Sequence, residues 1–239
     1  TATQAVFSRR DIARELNRYI DDADQFQSLL AQLEHSPQLV ELEPASGREP
    51  ARYSTREIIE IERSMVESAE RLGRTGLHGV SVARVQAAID RAGTLSDEQK
   101  SAVRHVTNAG SVAVVIGDAG TGKSFSMKIA REAWEAQGYT VRGAALAGKA
   151  ADELQHGSGI DSRTLASLEY AWKQGNDKLT SRDVLVIDEA GMVGSRQLGR
   201  VLKAAEEAGA KVVLLGDDKQ LAAIEAGAAF RGVVQHVGA

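Results

Sequence analysis

The amino-acid sequence predicts an α/β fold. A parallel sheet covered by helices on both faces is expected over residues 93–239, preceded by a smaller, mostly helical unit over residues 1–92. Three observations predict it. From residue 93 onward, short runs rich in Val and Ile (Val112–Ile116, Tyr139–Leu146, Val184–Ile187 and Val212–Leu215) alternate with stretches of helical periodicity, the pattern of strands joined by crossover helices. The runs are almost continuously apolar rather than alternating, as strands buried on both faces must be. The basic residues also change character at this point: the first 92 residues hold 12 Arg and no Lys, and all nine Lys follow.

Taken in order, Ser8 is placed to cap a helix that carries Ile12, Leu16, Tyr19 and Ile20 at helical spacing. Phe26, Leu29, Leu30 and Leu33 make a second apolar stripe, stopped near Pro37. Leu39 to Glu43 alternates apolar and acidic residues, which suits a half-buried strand, and Ala51-Arg52-Tyr53 returns as a second strand after a loop. Ser54 and Glu57 have capping-box spacing. Behind them Ile58, Ile61, Met65, Ala69 and Leu72 mark one face of a long helix closed by Gly73. Helix, helix, hairpin, helix resembles a winged-helix arrangement, which fits either a DNA-binding or a packing role. In the second unit the helices between the strands are expected at roughly 122–137, 147–156, 163–173 and 195–209.

Composition narrows the function. Hydrophobic residues make up 43 % and charged residues 26 %, ordinary for a globular chain. The absence of cysteine excludes disulfides, thiolate metal sites and cysteine nucleophiles. The five His, at 35, 78, 105, 156 and 236, are too scattered for a histidine metal cluster. No apolar run approaches the ~20 residues of a membrane span, and the first residues carry no signal-peptide pattern, so a cytoplasmic protein is expected. A net charge of −4 argues against coating nucleic acid by bulk electrostatics, but leaves room for a narrow groove holding a single strand.

Three segments carry chemistry. Gly117-Asp118-Ala119-Gly120-Thr121-Gly122-Lys123-Ser124 matches G-x-x-x-x-G-K-[ST], directly after a predicted strand and opening a helix. Glycines let the backbone turn its N–H groups toward phosphate, the helix N-terminus adds positive potential, Lys123 reaches the β- and γ-phosphates and Ser124 binds Mg²⁺. This is the phosphate loop of a P-loop NTPase, with ATP and Mg²⁺ as the expected ligands. Asp183 to Ala190 is a buried strand ending in two carboxylates at the edge facing the ligand crevice. Asp188 is the candidate Mg²⁺ ligand and Glu189 the candidate base for the attacking water. A third strand leads into Gly216-Asp217-Asp218-Lys219-Gln220-Leu221. There Gln220 can sense the γ-phosphate, or the segment is a solvated strand-terminal turn. Ser96 and Gln99 have capping-box spacing; Gln99 is also placed to read the adenine edge.

Together, Gln99, Gly117–Ser124, Asp188-Glu189-Ala190-Gly191-Met192 and Gly216-Asp217-x-x-Gln220-Leu221 resemble the RecD-like branch of superfamily 1 DNA helicases. The match covers about residues 95–239. Gly143 to Ala151, followed by Ser162-Arg163-Thr164-Leu165, looks like motif Ia of that branch and the segment behind it. Gly191 to Gln197, Glu225 to Arg231, Phe7 to Asp11 and Tyr53 to Glu57 are similar to the helicase part of TraA-like conjugative transfer relaxases.

The resemblance implies a RecA-like first motor domain at 93–239, an adenine contact from Gln99, and an ATP site made by Lys123, Ser124, Asp188, Glu189 and Gln220. It places Gly148, Lys149 and Thr164 near single-stranded DNA. The implied setting is plasmid transfer in a bacterial cytoplasm, with a relaxase domain and a second RecA-like domain in the full-length protein. A chain lacking that second domain and its arginine finger is expected to be nearly inactive. Three positions depart from the branch: Asp218 stands where Pro is usual, Lys219 where an acidic or small residue is usual, and Ala166 where His is common. The rival readings are a RecD-like helicase of recombination or repair, a P-loop kinase and a non-catalytic recruitment module. A kinase needs a lid and an acceptor site, and lacks the strand–Gly-Asp-x-x-Gln-Leu element.

Overall fold

A computed structural model of the chain describes residues 5–118, 120–217 and 228–238. The N-terminal unit begins with β1 (Phe7–Ser8), followed by α1 (Arg9–Leu16), α2 (Ala23–Glu34) and the hairpin of β2 (Leu39–Glu43) and β3 (Arg52–Thr55). β3 lies between β1 and β2 in an antiparallel sheet. Phe7, Ile12 and Leu30 form its core, with Leu16, Phe26, Leu39 and Tyr53 packed around them. Ser8 caps α1 reciprocally with Asp11. The helix ends at Leu16, so Tyr19 and Ile20 fall beyond it, and Tyr19 is 78 % exposed.

The capping box expected from Ser54 and Glu57 does not form. Pairing of Leu39 with Thr55 carries the strand one residue further. Thr55 is therefore the N-cap of the next helix and accepts the Ile58 N–H at 3.3 Å. Ser54 is buried within β3 and donates its hydroxyl to the Ala5 carbonyl at 2.7 Å.

That next helix, α3 (Arg56–Arg74), is a single 19-residue element that runs through Gly73. It leaves the small sheet at its N-terminus and lays Met65, Ala69 and Leu72 into an apolar layer shared with the larger sheet. α4 (Val82–Ala92) starts at Ser81, whose side chain accepts the Arg84 N–H, and buries Val85, Ala88 and Ile89. The step in composition at residue 92 thus does not coincide with a gap in the packing.

The larger sheet contains β4 (Val112–Ile116), β5 (Thr140–Ala145), β6 (Asp161–Thr164), β7 (Asp183–Ile187) and β8 (Lys211–Gly216). All pairings are parallel and the order is β4-β8-β7-β5-β6. Alternate residues of one strand feed two cores. Val212 and Leu214 meet α3, α8 (Leu165–Lys173), α9 (Ser195–Ala208) and α10 (Ala228–Val237). Val213 and Leu215 meet α4, α5 (Asp97–Val106), α6 (Lys123–Gln137) and α7 (Gly148–Ser158). The predicted helix start near 163 is corrected: residues 161–164 pair with β5 as an edge strand and α8 begins at Leu165. Asp-Ser-Arg-Thr offers no apolar run to read, and its polarity suits an edge with one wet side. No helix among the described residues is long and apolar enough to cross a membrane.

Lys211 opens β8 and is fully buried. Its ammonium donates to the carbonyls of Asn108 (2.9 Å) and Gly110, tying down the turn that enters β4. Burial pushes its pKa down from 10.5 to about 7. The unfolded chain then holds the proton over a window in which the native one sheds it, so stability rises with pH from about 7 toward 10.5. Between pH 7 and 9 the urea-unfolding free energy of wild type should gain about 2 kcal/mol over that of Lys211→Met. Parallel profiles for the two proteins would show that the ammonium is not desolvated in the native state.

Candidate nucleotide and DNA site

The phosphate loop leaves β4 at Gly117 and enters α6 at Lys123. Gly120 and Gly122 both sit at φ +82°, a conformation that side chains resist. Gly122 is constrained a second time, because a Cβ there would stand 2.3 Å from Gln99 Nε2. Gln99 closes the capping box of α5 by accepting the Ser96 N–H at 3.1 Å, and its Nε2 donates to the Thr121 carbonyl at 3.3 Å. One side chain therefore both caps a helix and holds the phosphate loop.

The Lys123 ammonium folds back onto the loop, donating to the carbonyls of Gly117 and Asp118 (3.0 Å for the latter). Thr121 adds a hydroxyl bond to the Asp118 carbonyl at 2.8 Å. Ser124 follows on the first turn of α6 and presses against α7, where a Cβ at Gly157 would lie 2.7 Å from Ser124 Cβ.

The two carboxylates sit at the end of β7. The Asp188 N–H bonds to the Ala144 carbonyl at 2.9 Å, and Asp188 Oδ1 accepts the Glu189 N–H at 2.8 Å. Glu189 has φ +52°, one of two positive values among the described non-glycine residues. Such a conformation costs about 1–3 kcal/mol unless its surroundings impose it. Burial raises the Asp188 pKa, and Glu153 adds to the rise. The bond from the Glu189 N–H and the Lys123 charge oppose it. Burial also raises Glu189, with Asp188 and Glu153 reinforcing and Lys149 opposing. Lys123 and Asp188 therefore act on one another electrostatically across β8, the strand between their own.

The remaining candidates lie on the other side of the acids, at the ends of β5 and β6. Gly148 is the first residue of α7, whose N-cap, Ala147, offers no side-chain bond. Lys149 projects into solvent with its side chain 88 % exposed, 3.7 Å from Glu153 one turn on. Thr164, paired with Ala145, caps α8 by accepting the Ser167 N–H at 3.2 Å. Ala119 and Gln220 lie outside the described residues, as do Asp218 and Lys219.

The structure adds one side chain that the sequence reading did not single out. Glu153 faces both acids while paired with Lys149. Its signal was the four-residue spacing from Lys149, which puts both on one helix face.

The donor set fits a Mg²⁺-bound nucleotide. The Lys123 ammonium acts on the half-buried Asp188 carboxylate, whose charge burial disfavours, and a divalent cation would relieve that cost.

Known proteins resemble the chain over its whole length. The AAA domain family matches residues 94–239. The chain is 50 % identical over its whole length to a probable conjugal transfer protein TraA of Sinorhizobium fredii, and 46 % identical over 98 % of its length to a conjugal transfer protein TraA of Agrobacterium fabrum. It spans only 22 % of each of those relatives. A weaker likeness, 33 % identity over 59 % of the chain and 20 % of the relative, links it to an ATP-dependent RecD2 DNA helicase of Deinococcus radiodurans. The phosphate loop, the paired acids and these likenesses all point the same way: the chain belongs to the AAA domain family, among relatives that include TraA conjugal transfer proteins and a RecD2 helicase.

Proposed function

We propose that residues 93–239 form the first motor unit of a conjugative DNA helicase, covered on one face by α3 and on the other by α4, and that this unit binds ATP, Mg²⁺ and single-stranded DNA. The observation that supports the reading is the charge of Lys123 acting on Asp188 from the neighbouring loop, with Gln99 bonded to that loop at Thr121. Lys123 exchanges its two loop carbonyls for phosphate oxygens when nucleotide enters. Gln99 keeps Gly122 and Thr121 in the cradle conformation and reaches toward the base. Ser124 and Asp188 would hold Mg²⁺, which would supply charge neutralisation to the nucleotide's phosphates. Glu189 orients the attacking water and takes its proton, a role that suits a carboxylate with a raised pKa. Gln220 senses the γ-phosphate.

On the same reading the open N-terminus of α7 at Gly148, the Lys149 ammonium and the Thr164 hydroxyl meet the DNA backbone. α7 also presents Glu153 to the acids, so the strand and the nucleotide share one helix. In the full-length protein, a relaxase domain and a second RecA-like domain complete the machine.

The test is binding and turnover together. Single-stranded DNA should stimulate phosphate release by the full-length protein. Fluorescence anisotropy with a labelled oligonucleotide should give a salt slope for Lys149→Ala about 0.7 smaller in magnitude than for wild type, the loss of one phosphate contact. An identical slope would remove Lys149 from the DNA path.

A further inference from the structure

α7 meets the candidate site a second time at its far end, where Gly157 lies against Ser124. Gly157 is inside the helix, and its φ is not among the positive values; the left-handed cap is Gly159, at φ +69°. Alanine suits such a backbone and strengthens a helix, so glycine here needs another reason. Closeness supplies it. A Cβ on Gly157 would stand 2.7 Å from Ser124 Cβ and 3.3 Å from Ser124 Oγ. Carbon atoms in contact sit about 3.5–4.0 Å apart. Ser124 Cβ is fixed to the backbone of α6 and no rotamer change moves it, so room for the extra methyl requires the two helices to part by about 1 Å. Glycines inside other helices escape this: Gly73 in α3 and Gly199 in α9 would each meet their nearest neighbour at 3.6 Å.

The two helices are also held from other sides. Leu154 of α7 is fully buried in the same core as Met127 and Ala130 of α6. Ala150 and Ala151 pack with Ala145, the last residue of β5. Arg131 of α6 donates to the Gly159 carbonyl. α7 is thus pinned along its length, and a methyl at position 157 would press on Ser124 rather than swing the helix away.

We infer that Gly157 is a positioning residue for Ser124: its bare α-carbon lets α7 close on α6, and that closure holds the Ser124 hydroxyl in the place from which it would bind Mg²⁺. Mg²⁺ demands near-ideal octahedral geometry, so a ligand displaced by about 1 Å falls outside its tolerance. The inference rests on the reading of Ser124 as a metal ligand. It adds a residue 33 positions away in the chain (157 − 124), on a different helix, that decides whether that ligand is in reach.

Binding of a fluorescent ATP analogue to the full-length protein, with Mg²⁺ and with EDTA in its place, tests it. The readout is the gain in affinity that Mg²⁺ brings. Gly157→Ala should lower that gain at least about tenfold, the scale of one lost contact to a charged group, and leave the affinity in EDTA unchanged. Gly199→Ala, the same replacement in a helix on the opposite face of the sheet, should change neither. In a Ser124→Ala background, Gly157→Ala should lower the gain no further, because the hydroxyl it positions is gone. An undiminished gain in Gly157→Ala would overturn the inference. So would an equal loss with and without Mg²⁺, the same loss in both Ser124 backgrounds, or a variant that fails to fold, each of which would assign the glycine to packing alone. A full Mg²⁺ gain in Ser124→Ala would remove Ser124 from the metal site, and the nucleotide-site reading would fall together with the inference. A gain lost in Ser124→Ala but kept in Gly157→Ala would remove the inference and leave that reading standing.

Discussion

Glu189→Gln in the full-length protein should leave nucleotide affinity near wild type and lower DNA-stimulated turnover by about 10²–10⁴-fold, the usual contribution of a positioned general base. The amide keeps the size and hydrogen-bonding reach of the carboxylate, so the water can still be held, but its proton has nowhere to go. The backbone at Glu189 sits at φ +52°, and a change of carboxylate to amide leaves that conformation in place. Removing one charge beside Asp188 also relieves mutual repulsion, so Mg²⁺-dependent binding should not weaken. Phosphate release and binding of a fluorescent ATP analogue, measured on the same preparation, separate the two effects. Turnover at the wild-type rate would place the base elsewhere, and a parallel loss of binding would make Glu189 part of the metal site.

Lys123→Ala should weaken ATP·Mg²⁺ binding by about 10–150-fold, the equivalent of losing a hydrogen bond to a charged group, about 1.5–3 kcal/mol. The fold should be unaffected. Among the described residues the ammonium bonds to the carbonyls of Gly117 and Asp118, and the side chain contributes to neither core. Circular dichroism and the urea midpoint should match wild type while calorimetry reports the loss. Equal affinity in the two proteins would remove the loop from nucleotide binding.

The parts of this architecture that bury apolar surface were legible in the sequence. Val112–Ile116, Val184–Ile187 and Val212–Leu215 are unbroken because both faces of those strands are covered, and each appears as a strand within a residue of its expected limits. The tight turn after β4 was legible because glycine at 120 and 122 serves a backbone, at φ +82°, that few other residues adopt. Of the cap and the adenine contact that Gln99 left open, the structure shows the cap, and it adds a bond to the loop at Thr121.

What escaped was decided by tertiary contact. β6 is polar because it is an edge. Ser54 and Thr55 exchange roles because strand pairing extends one residue further than the cap pattern suggests. Glu153 looks like any exposed helix acid until β7 brings Asp188 and Glu189 under α7. The role expected of Gln220 depends on a segment outside the described residues.

α3 belongs to two structures at once. Its first turn is joined to the small sheet through Thr55, while Met65, Ala69 and Leu72 complete the layer over α9. Ser195 donates to Glu62 at 2.7 Å, and Arg196 pairs with Glu57, so polar contacts clamp the same two helices. The family match begins at residue 94, thirty-eight residues after α3 starts. Inheritance and folding therefore draw different borders. A fusion that transplanted only the matched segment would arrive with α9 bare along Ser195, Gly199 and Glu206, residues that meet α3, and would have to recruit a new helix from its host. The unit that packs as one body is thus larger than the matched segment and reaches back to the start of α3, next to the strands of the small sheet.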